Sequence, residues 1–588
     1  MIKKIILIIL LVKTVEAVDV TVPIKLINEP SEKTYSIHSD NYIYLNSNSE
    51  TILGDILKNQ TSFNAVRSGP KGQQTSVFTR GTNSNHTLVA INGSSIEDHS
   101  TSNGLTDVSN INVNFANIAH LIKGPMSTLH GPNAVGGVID LQTSQNYKNN
   151  LILKYGSNNT RITRANLLVD ENKKLNLGYH FEATDGISIY PKGEEKDSFS
   201  SSGFNLNYYD SILSNDIELL YIQNTNKSDL DGSGADDLDY TNKIYFNFYQ
   251  LIAKNNSSIG NLILTFDNSN WERKYYNGSE TDSYNSSANR IKLLNKFKIN
   301  RIKNSMGIQK ESYDVDFDNQ GSYNSSVNKD AEQTAIFYNS DFNFTDEFFF
   351  SGGIRYDDNS RHGNQSTYRL GSEIKLSERS YFLSVASGFK NPTMYEMFGA
   401  DNFGYSGNPN LKTEESINKE IGINHKGKIV DFKFTIFDNE ISNLIKYENS
   451  TYVNASGSST MQGFEIDNNI NFKDLSIINS YSHVHAVDSS NVWLKRRPHD
   501  IFNTSLIYNL NDILIKPSIE YYGSHTDTHS TNFSTILIKE RTLFNLDLDY
   551  KNFNISINNI FNDQYERPHG YNQGARQSFI SFNYDYSF

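Results

Sequence analysis

From about Lys148 to its last residue this chain changes side-chain character at every second position. Segments such as NLILKYGS, KLNLGYHFEA, DIELLYIQNT, KIYFNFYQLIA and SYFLSVASGF follow one another, separated by clusters of Asn, Asp, Gly and Ser. A period of two puts alternate side chains on opposite faces of a strand, so these segments are expected to be β-strands joined by turns. Helical periodicity is nearly absent beyond residue 147. After the N-terminal leader no run of about 18 apolar residues occurs, which excludes membrane-crossing helices. Yet the chain carries 34 Phe and 35 Tyr among 588 residues. Strands that cross a bilayer show only every second side chain to lipid, so they combine abundant aromatics with low hydropathy.

The ends and the composition narrow the class further. MIKKIILIILLVKTVEA has a basic start, an apolar stretch from Ile5 to Val12 and a small-residue site ending at Ala17. It reads as a secretory signal peptide cut after Ala17, too short to span a membrane. The chain has no cysteine, so disulfides, thiol chemistry and Cys-ligated zinc are excluded. A net charge of −13 argues against nucleic acid as a partner and suits loops facing the outside of a cell. At the other end Ile580, Phe582, Tyr584, Tyr586 and Phe588 alternate with smaller or polar residues, giving one apolar, aromatic face. No nucleophile elbow, phosphate-binding loop or metal-hydrolase His pair is present, so no catalysis is expected.

Between Ser76 and Ser144 the pattern differs. SVFTRGTNSNHTLVAINGSSIEDHS and LIKGPMSTLHGPNAVGGVIDLQTS are short apolar strands that run into glycine turns. A short helix is expected just before them, capped by Ser49 or Thr51, with Ile52, Leu53, Ile56 and Leu57 on one face. The strings RGTN, the I-N-G turn, KGP and GPNAVGGVI resemble the plug of TonB-dependent outer-membrane receptors, and the terminal aromatic strand resembles the closing strand of outer-membrane proteins. The resemblance covers essentially the whole mature chain. It implies an all-β transmembrane barrel of about 22 antiparallel strands with an N-terminal α+β plug in its lumen. Residues 148–588 allow roughly 20 residues for each strand and its connection, of which a tilted spanning strand uses about 10. The expected organisation is a signal peptide (1–17), a periplasmic segment (18–45), the plug (46–147) and the barrel (148–588). The chain is expected to act as a monomer in contact with outer-membrane lipid.

Three segments resemble the cobalamin (vitamin B12) receptor branch in particular: SVFTRGTNSNHTLVAING; GFKNPTMYEMFG with GNPNLKTEES and DNEISNLIKYENSTYVNASGSSTMQGFEID; and LKRRPHD with NIFNDQYERPHGYNQGARQ. Active import of cobalamin or a related corrinoid is therefore expected. An iron-siderophore or haem receptor is the alternative, and a passive porin or adhesin barrel a remote one. Haem receptors usually carry a ligating histidine between the GFKNP and NPNL boxes, and this chain has none between Gly388 and Leu411. His483 and His485 read as ordinary polar residues of a strand face. The resemblance places cargo contacts at Gln74, Ser76 and Asn83 in the first apical loop and its flank, at Ser102 and Asn103 in the second, and at Arg496 in LKRRPHD. An amide-rich cargo needs such short polar donors and acceptors.

Arg80 of RGTN is expected to be buried against acidic groups of the barrel wall, with Glu414, Glu415, Glu420 and Glu465 as candidates, because a buried guanidinium must be paired. SDLDGSGADDLDY holds Asp229, Asp231, Asp236, Asp237 and Asp239. It opens like a calcium loop, with Gly234 at the turn, but lacks the Glu at the twelfth position. The resemblance implies calcium-ordered outer loops; in the partner loop around FSSSGF serines replace aspartates, leaving Asp185 and Asp197 nearby. Energy is expected from a periplasmic TonB protein that pairs with a short extended segment. Asp19-Val20-Thr21-Val22, followed by Pro23 and Ile24, is the candidate, although Pro23 removes one backbone donor.

Overall fold

The computed structural model describes residues 40–45, 50–143, 149–170, 175–232, 235–319 and 326–586. The signal-peptide segment, the TonB-contact candidates Asp19 to Val22, Ser49, Gly234 and Phe588 lie outside these residues.

Twenty-two strands close into one antiparallel barrel. They follow chain order, and closure joins the first, Asn149–Gly156, to the last, Gln577–Tyr586, with Leu151 opposite Tyr584 and Tyr155 opposite Ile580. Among the described residues, the alternating segments of the sequence form the strands Asn149–Gly156, Leu175–Thr184, Asn215–Asp229, Tyr240–Ser257 and Arg379–Lys390. Closure gives every spanning strand two neighbours, which satisfies the backbone where no water is available. Large apolar side chains stand exposed around the outside: Leu219 at 42%, Leu251 at 38%, Ile354 at 62% and Leu383 at 54%. Such a surface is unstable in water and natural against lipid. No helix among the described residues is long and apolar enough to cross a membrane.

A five-stranded sheet fills the lumen, in the order Asp40–Tyr44, Ile118–Lys123, Gly137–Gln142, Thr87–Ile91, Ser94–Ser95. The central pair runs parallel, Leu88 beside Val138 and Val89 beside Ile139. Parallel strands are covered on both faces, which is why TLVAI and GVI are continuously apolar. A Cβ at Gly137 would stand 2.5 Å from the Ile122 carbonyl oxygen, so the second glycine of the GG pair permits this close strand contact. Plug and barrel share one core. Leu53, Phe63, Val89 and Ile91 pack in the same cluster as Phe246, Phe248 and Trp271 from the barrel wall. Each such buried side chain contributes about 1.5–3 kcal/mol, so the plug is held by hydrophobic contact as well as by charge.

The short helix departs from the expectation. It is a single turn, Leu53–Ile56, continued by a 3-10 turn at Leu57–Asn59, and its N-cap is Ile52, which makes no side-chain cap bond. Thr51 does not cap it; its hydroxyl donates instead to Glu182 on the wall, at 2.5 Å. The contact with the barrel has taken the group that the local sequence offered to the helix.

Candidate functional site

Two apical loops of the plug form the floor of a cavity of about 570 Å³ beneath the outer loops. The first is SGPKGQQ. Gly72 there has φ +93°, and a Cβ on it would meet the Phe199 ring at 2.4 Å, so only glycine lets this loop press on the wall. Its neighbours Gln73 and Gln74 line the cavity, Gln74 being exposed to it. The second loop supplies Ser102 and Asn103. Its shape is held from the wall, by the Thr393 hydroxyl donating to the Ser102 carbonyl at 2.9 Å, and from the plug, by the Asn85 amide donating to the Asn103 carbonyl at 2.7 Å.

The walls are aromatic. Trp271, Tyr240, Tyr275, Tyr190, Tyr571 and Phe533 all face the cavity. The Trp271 indole donates to the Ile96 carbonyl at 3.0 Å and stacks on Phe246 with centroids 4.2 Å apart, so its position is fixed by the plug. The charged lining is acidic. Asp98, Asp107 and Asp231 stand against Arg273 alone, and Arg273 is already committed, its Nε 2.7 Å from Asp98. Burial pushes the Asp107 carboxyl up, although it accepts bonds from the Thr75 and Ser109 backbone amides at 2.8 and 3.0 Å.

The remaining residues proposed from sequence as cargo contacts lie elsewhere. Ser76 is on the strand Thr75–Thr79, opposite Val66, and does not line the cavity. Asn83 caps the turn Ser84–His86 and accepts a bond from Arg497 Nη2 at 2.6 Å. Arg496 points away, its Nε 2.9 Å from Asp527. Its neighbour Arg497 takes the inward position: it bonds the Gly81 and Thr82 carbonyls at 3.2 and 3.3 Å and lies 4.4 Å over the Phe78 ring. Burial with no carboxylate beside it, and Arg496 next to it, pull this guanidinium down to about 9. Arg496 sits in a turn with φ +66°, so the two adjacent arginines face opposite ways, and sequence alone did not fix which one faces the plug.

Beneath the cavity, Arg80 locks the plug to the wall. With φ +49°, it sends Nε and Nη2 to Glu465 at 3.1 and 3.0 Å and Nη1 to Glu420 at 2.6 Å, and it lies 4.6 Å over the Phe437 ring. Lys123 of the plug reaches the same Glu465 at 3.1 Å. Of the other carboxylates proposed for Arg80, Glu414 bonds buried His86 at 2.5 Å and Glu415 is exposed. A second cavity, of about 370 Å³, runs between the plug and the wall near the seam where first and last strands meet. There Asp55 takes Arg67 at 2.6 Å, Lys58 at 2.9 Å and Lys71 at 2.9 Å, which hold its carboxyl well below the usual range despite its burial.

The five aspartates of SDLDGSGADDLDY do not converge. Asp229 accepts from Ser198, Asp236 from the Glu194 and Glu195 amides, and Asp237 from the Asp239 amide, while Asp239 is exposed. Only Asp231 joins a carboxylate cluster, with Glu195 and Asp197 of the preceding outer loop, the three oxygens within 4.8 Å of one another. Asp197 is fully buried and its Oδ1 has no hydrogen-bond partner. Burial first, and then Asp231, Glu195 and Asp229, push its carboxyl up to about 7, against the bond it accepts from the Ile189 amide. Glu195 lies in PKGEEKD, which has no motif to mark it. His483 and His485 are on the barrel strand Leu475–Val487; His483 bonds Asp500 at 2.8 Å, and the Trp493 ring lies 4.4 Å from His485 and 3.7 Å from His499.

A closed 22-strand barrel whose lumen holds a folded plug, tied to the wall by buried ion pairs, is the architecture of a plugged outer-membrane receptor. Comparison with protein families agrees with that design. The model for the TonB-dependent receptor plug domain matches residues 44–138, and that for the TonB dependent receptor-like β-barrel matches residues 126–562. The chain belongs to the TonB-dependent receptors, which are transporters of the outer membrane and not enzymes. Among solved structures it is similar to the siderophore receptor PirA from Acinetobacter baumannii, at 16% identity and TM-score 0.76, with 93% of this chain and 98% of that one covered. It is also similar to a mutant ferric enterobactin receptor (PfeA) from Pseudomonas aeruginosa, at 14% identity and TM-score 0.79, covering 94% and 99%. A third is the FrpB iron transporter from Neisseria meningitidis, at 13% identity and TM-score 0.76, covering 92% and 97%. At these identities the likeness speaks for the fold.

Proposed function

We propose that this receptor imports a large, metal-bearing organic nutrient of little net negative charge, an iron siderophore or a corrinoid, using energy delivered by TonB. The observation that carries this reading is the outer cavity: amides and hydroxyls of Gln74, Ser102 and Asn103 beneath an aromatic wall, with three aspartates against one arginine that is already paired. Aromatic faces and short amides suit a bulky, amide-rich ligand. A strongly anionic ferric catecholate would need a cationic lining.

Within this class the solved relatives support the siderophore reading over the corrinoid, although some of them are named for ferric enterobactin or a ferric catecholate, and this cavity departs from such a cargo by its acidic lining. The charge of the lining then points to siderophores that are neutral as iron complexes. The LKRRPHD and GNPNLKTEES strings support a corrinoid. Binding to purified receptor separates them. Cyanocobalamin, a neutral ferric hydroxamate and an anionic ferric catecholate are titrated in parallel, and the neutral ligand that binds identifies the cargo class. Preference for the catecholate would refute the reading.

The Glu195, Asp197 and Asp231 oxygens fit a hard divalent cation such as calcium, since carboxylates are its usual ligands and Asp197 Oδ1 is a buried acceptor without a donor. The bound ion would offset the repulsion among the three carboxylates and join two outer loops over the cavity. For TonB, Asp19 to Val22 remains the proposed contact; deleting residues 18–24 should abolish uptake while leaving binding intact.

A further inference from the structure

The first apical loop of the plug has a cavity on each side. Ser68, Gly72, Gln73 and Gln74 of SGPKGQQ line the outer cavity, whereas Gly69, Pro70 and Lys71 of the same loop line the second cavity at the seam. Two outer loops continue this partition. Ile189 and Tyr190 face the outer cavity and Gly186 and Ile187 the seam; Gly570 and Tyr571 face the one, Gln573 and Gly574 the other. A single layer of chain separates the two spaces.

The seam cavity runs most of the height of the wall. Its outer end lies at Gly186 and Gln573. Its inner end is Asn554, the second residue of the strand Phe553–Asn558, beside the two-residue turn that joins it to Arg541–Tyr550. Short turns of this kind face the periplasm. Between the ends the wall offers amides and hydroxyls of Ser518, Asn545, Ser556, Asn558 and Gln577, with Glu520 and Asp547 as its acids. Such groups both donate and accept, as do Gln74, Ser102 and Asn103 on the floor of the outer cavity. A further cavity between plug and wall, lined by Ser95, Arg290 and Gln309 across the lumen from the seam, measures about 50 Å³.

Ion contacts of the plug close both ends of the seam cavity. At the partition Lys71 reaches Asp55 at 2.9 Å, Glu50 at 3.3 Å and Glu182 of the wall. The loop is tied down further by the Gln73 amide, which donates to the Asp229 carbonyl at 2.8 Å, and by the Ser228 hydroxyl, which donates to the Gly72 carbonyl at 3.1 Å. At the inner end the register sets Asn554 opposite Ser581 and Ser581 opposite Lys154, and Lys154 pairs there with Glu50.

We propose that the seam cavity is a second cargo station. Cargo leaves the outer cavity past the SGPKGQQ loop, is held by the amides and hydroxyls of Ser518, Asn545, Ser556 and Asn558, and passes to the periplasm when Glu50 parts from Lys154. This station rests on the reading of the protein as an importer of an amide-rich nutrient.

The chain has no cysteine, so one introduced thiol marks the cavity. Full-length Ser556→Cys, modified with a benzyl methanethiosulfonate, and Ser556→Trp, which fills the same space without a reagent, are compared with the wild type in cells. The probe is whichever of labelled cyanocobalamin, a neutral ferric hydroxamate and an anionic ferric catecholate the wild type binds. Both filled variants should bind it within about twofold of the wild type and import it at least about tenfold more slowly. Unmodified Ser556→Cys should import normally, and the modified Ser95→Cys variant should import within about twofold of the wild type. Normal uptake by a filled variant that still binds, or a block from Ser95 instead, would overturn the second station. Binding of the catecholate alone would refute the charge reading of the outer cavity, and uptake of that probe would still decide the seam.

Discussion

Replacing Glu465 by Gln should loosen the plug without disturbing the barrel. Glu465 receives three charge-assisted bonds, two from Arg80 at 3.1 and 3.0 Å and one from Lys123 at 3.1 Å, with its side chain only 3% exposed. Glutamine has nearly the same shape, so packing is kept and only the anion is lost. Removing one partner of a buried ion pair costs about 3–5 kcal/mol, because the other charge is left uncompensated. Glu420 still faces Arg80 at 2.6 Å and Asp467 lies 3.6 Å from Lys123, which places this loss at the lower end, about 3 kcal/mol. That corresponds to roughly a 150-fold rise in the fraction of receptors with an opened plug. Hydrogen exchange in detergent reads that fraction directly. The plug strands Thr87–Ile91 and Ile118–Lys123 should exchange about a hundredfold faster, while barrel strands far from Glu465 keep their protection. Glu415→Gln, on an exposed side chain, is the control and should change nothing. An increase below about threefold in the plug strands would show that their opening does not depend on this ion network, and the account of the lock would fail.

Other expectations follow from the same geometry. Arg497→Gln should raise plug exchange around Gly81 to Asn83, whereas Arg496→Gln, which removes only the contact with Asp527, should leave cargo affinity within about twofold; the opposite ranking, by exchange and by titration, would reverse the assignment of the two arginines. Trp271→Ala removes an aromatic wall held by the plug and should weaken cargo binding by at least about tenfold, read by calorimetry, with the barrel intact. Calcium affinity should depend on pH. Asp197 has its carboxyl raised to about 7, so the proton favours the folded loops below that pH and must leave before a cation binds. Affinity should therefore rise with pH up to about 7, by up to about tenfold per unit, and level off above it. A flat profile between pH 5 and 7 would exclude Asp197 as a ligand.

The barrel and the plug were legible because they rest on repeated local signals. Period-two alternation survives in strands such as Ser326–Asn343 and Glu414–Lys426 since one face meets lipid and the other the lumen, and the glycine strings mark close backbone contacts. The site was less legible because its members come from distant parts of the chain. Trp271 and Arg273 belong to an ordinary alternating strand, and nothing local shows that their wall faces the apical loops. Arg80 demanded a buried acid, but only the barrel register separates inward Glu420 and Glu465 from outward Glu415. The aspartate run looked like a cation loop by itself, whereas most of its carboxylates are used on backbone amides and the cluster forms with Glu195 and Asp197 from another loop.

Uptake is the most direct test of the central claim, that this is a gated importer whose outer cavity selects a bulky cargo of low negative charge. Cells lacking their own receptors, expressing this protein, would be given labelled cyanocobalamin, a neutral ferric hydroxamate and an anionic ferric catecholate, with and without functional TonB. The account predicts accumulation of one of the two neutral cargoes, lost when TonB is deleted and reduced when Trp271 is replaced by Ala. Accumulation that persists without TonB, or transport of the catecholate alone, would contradict it.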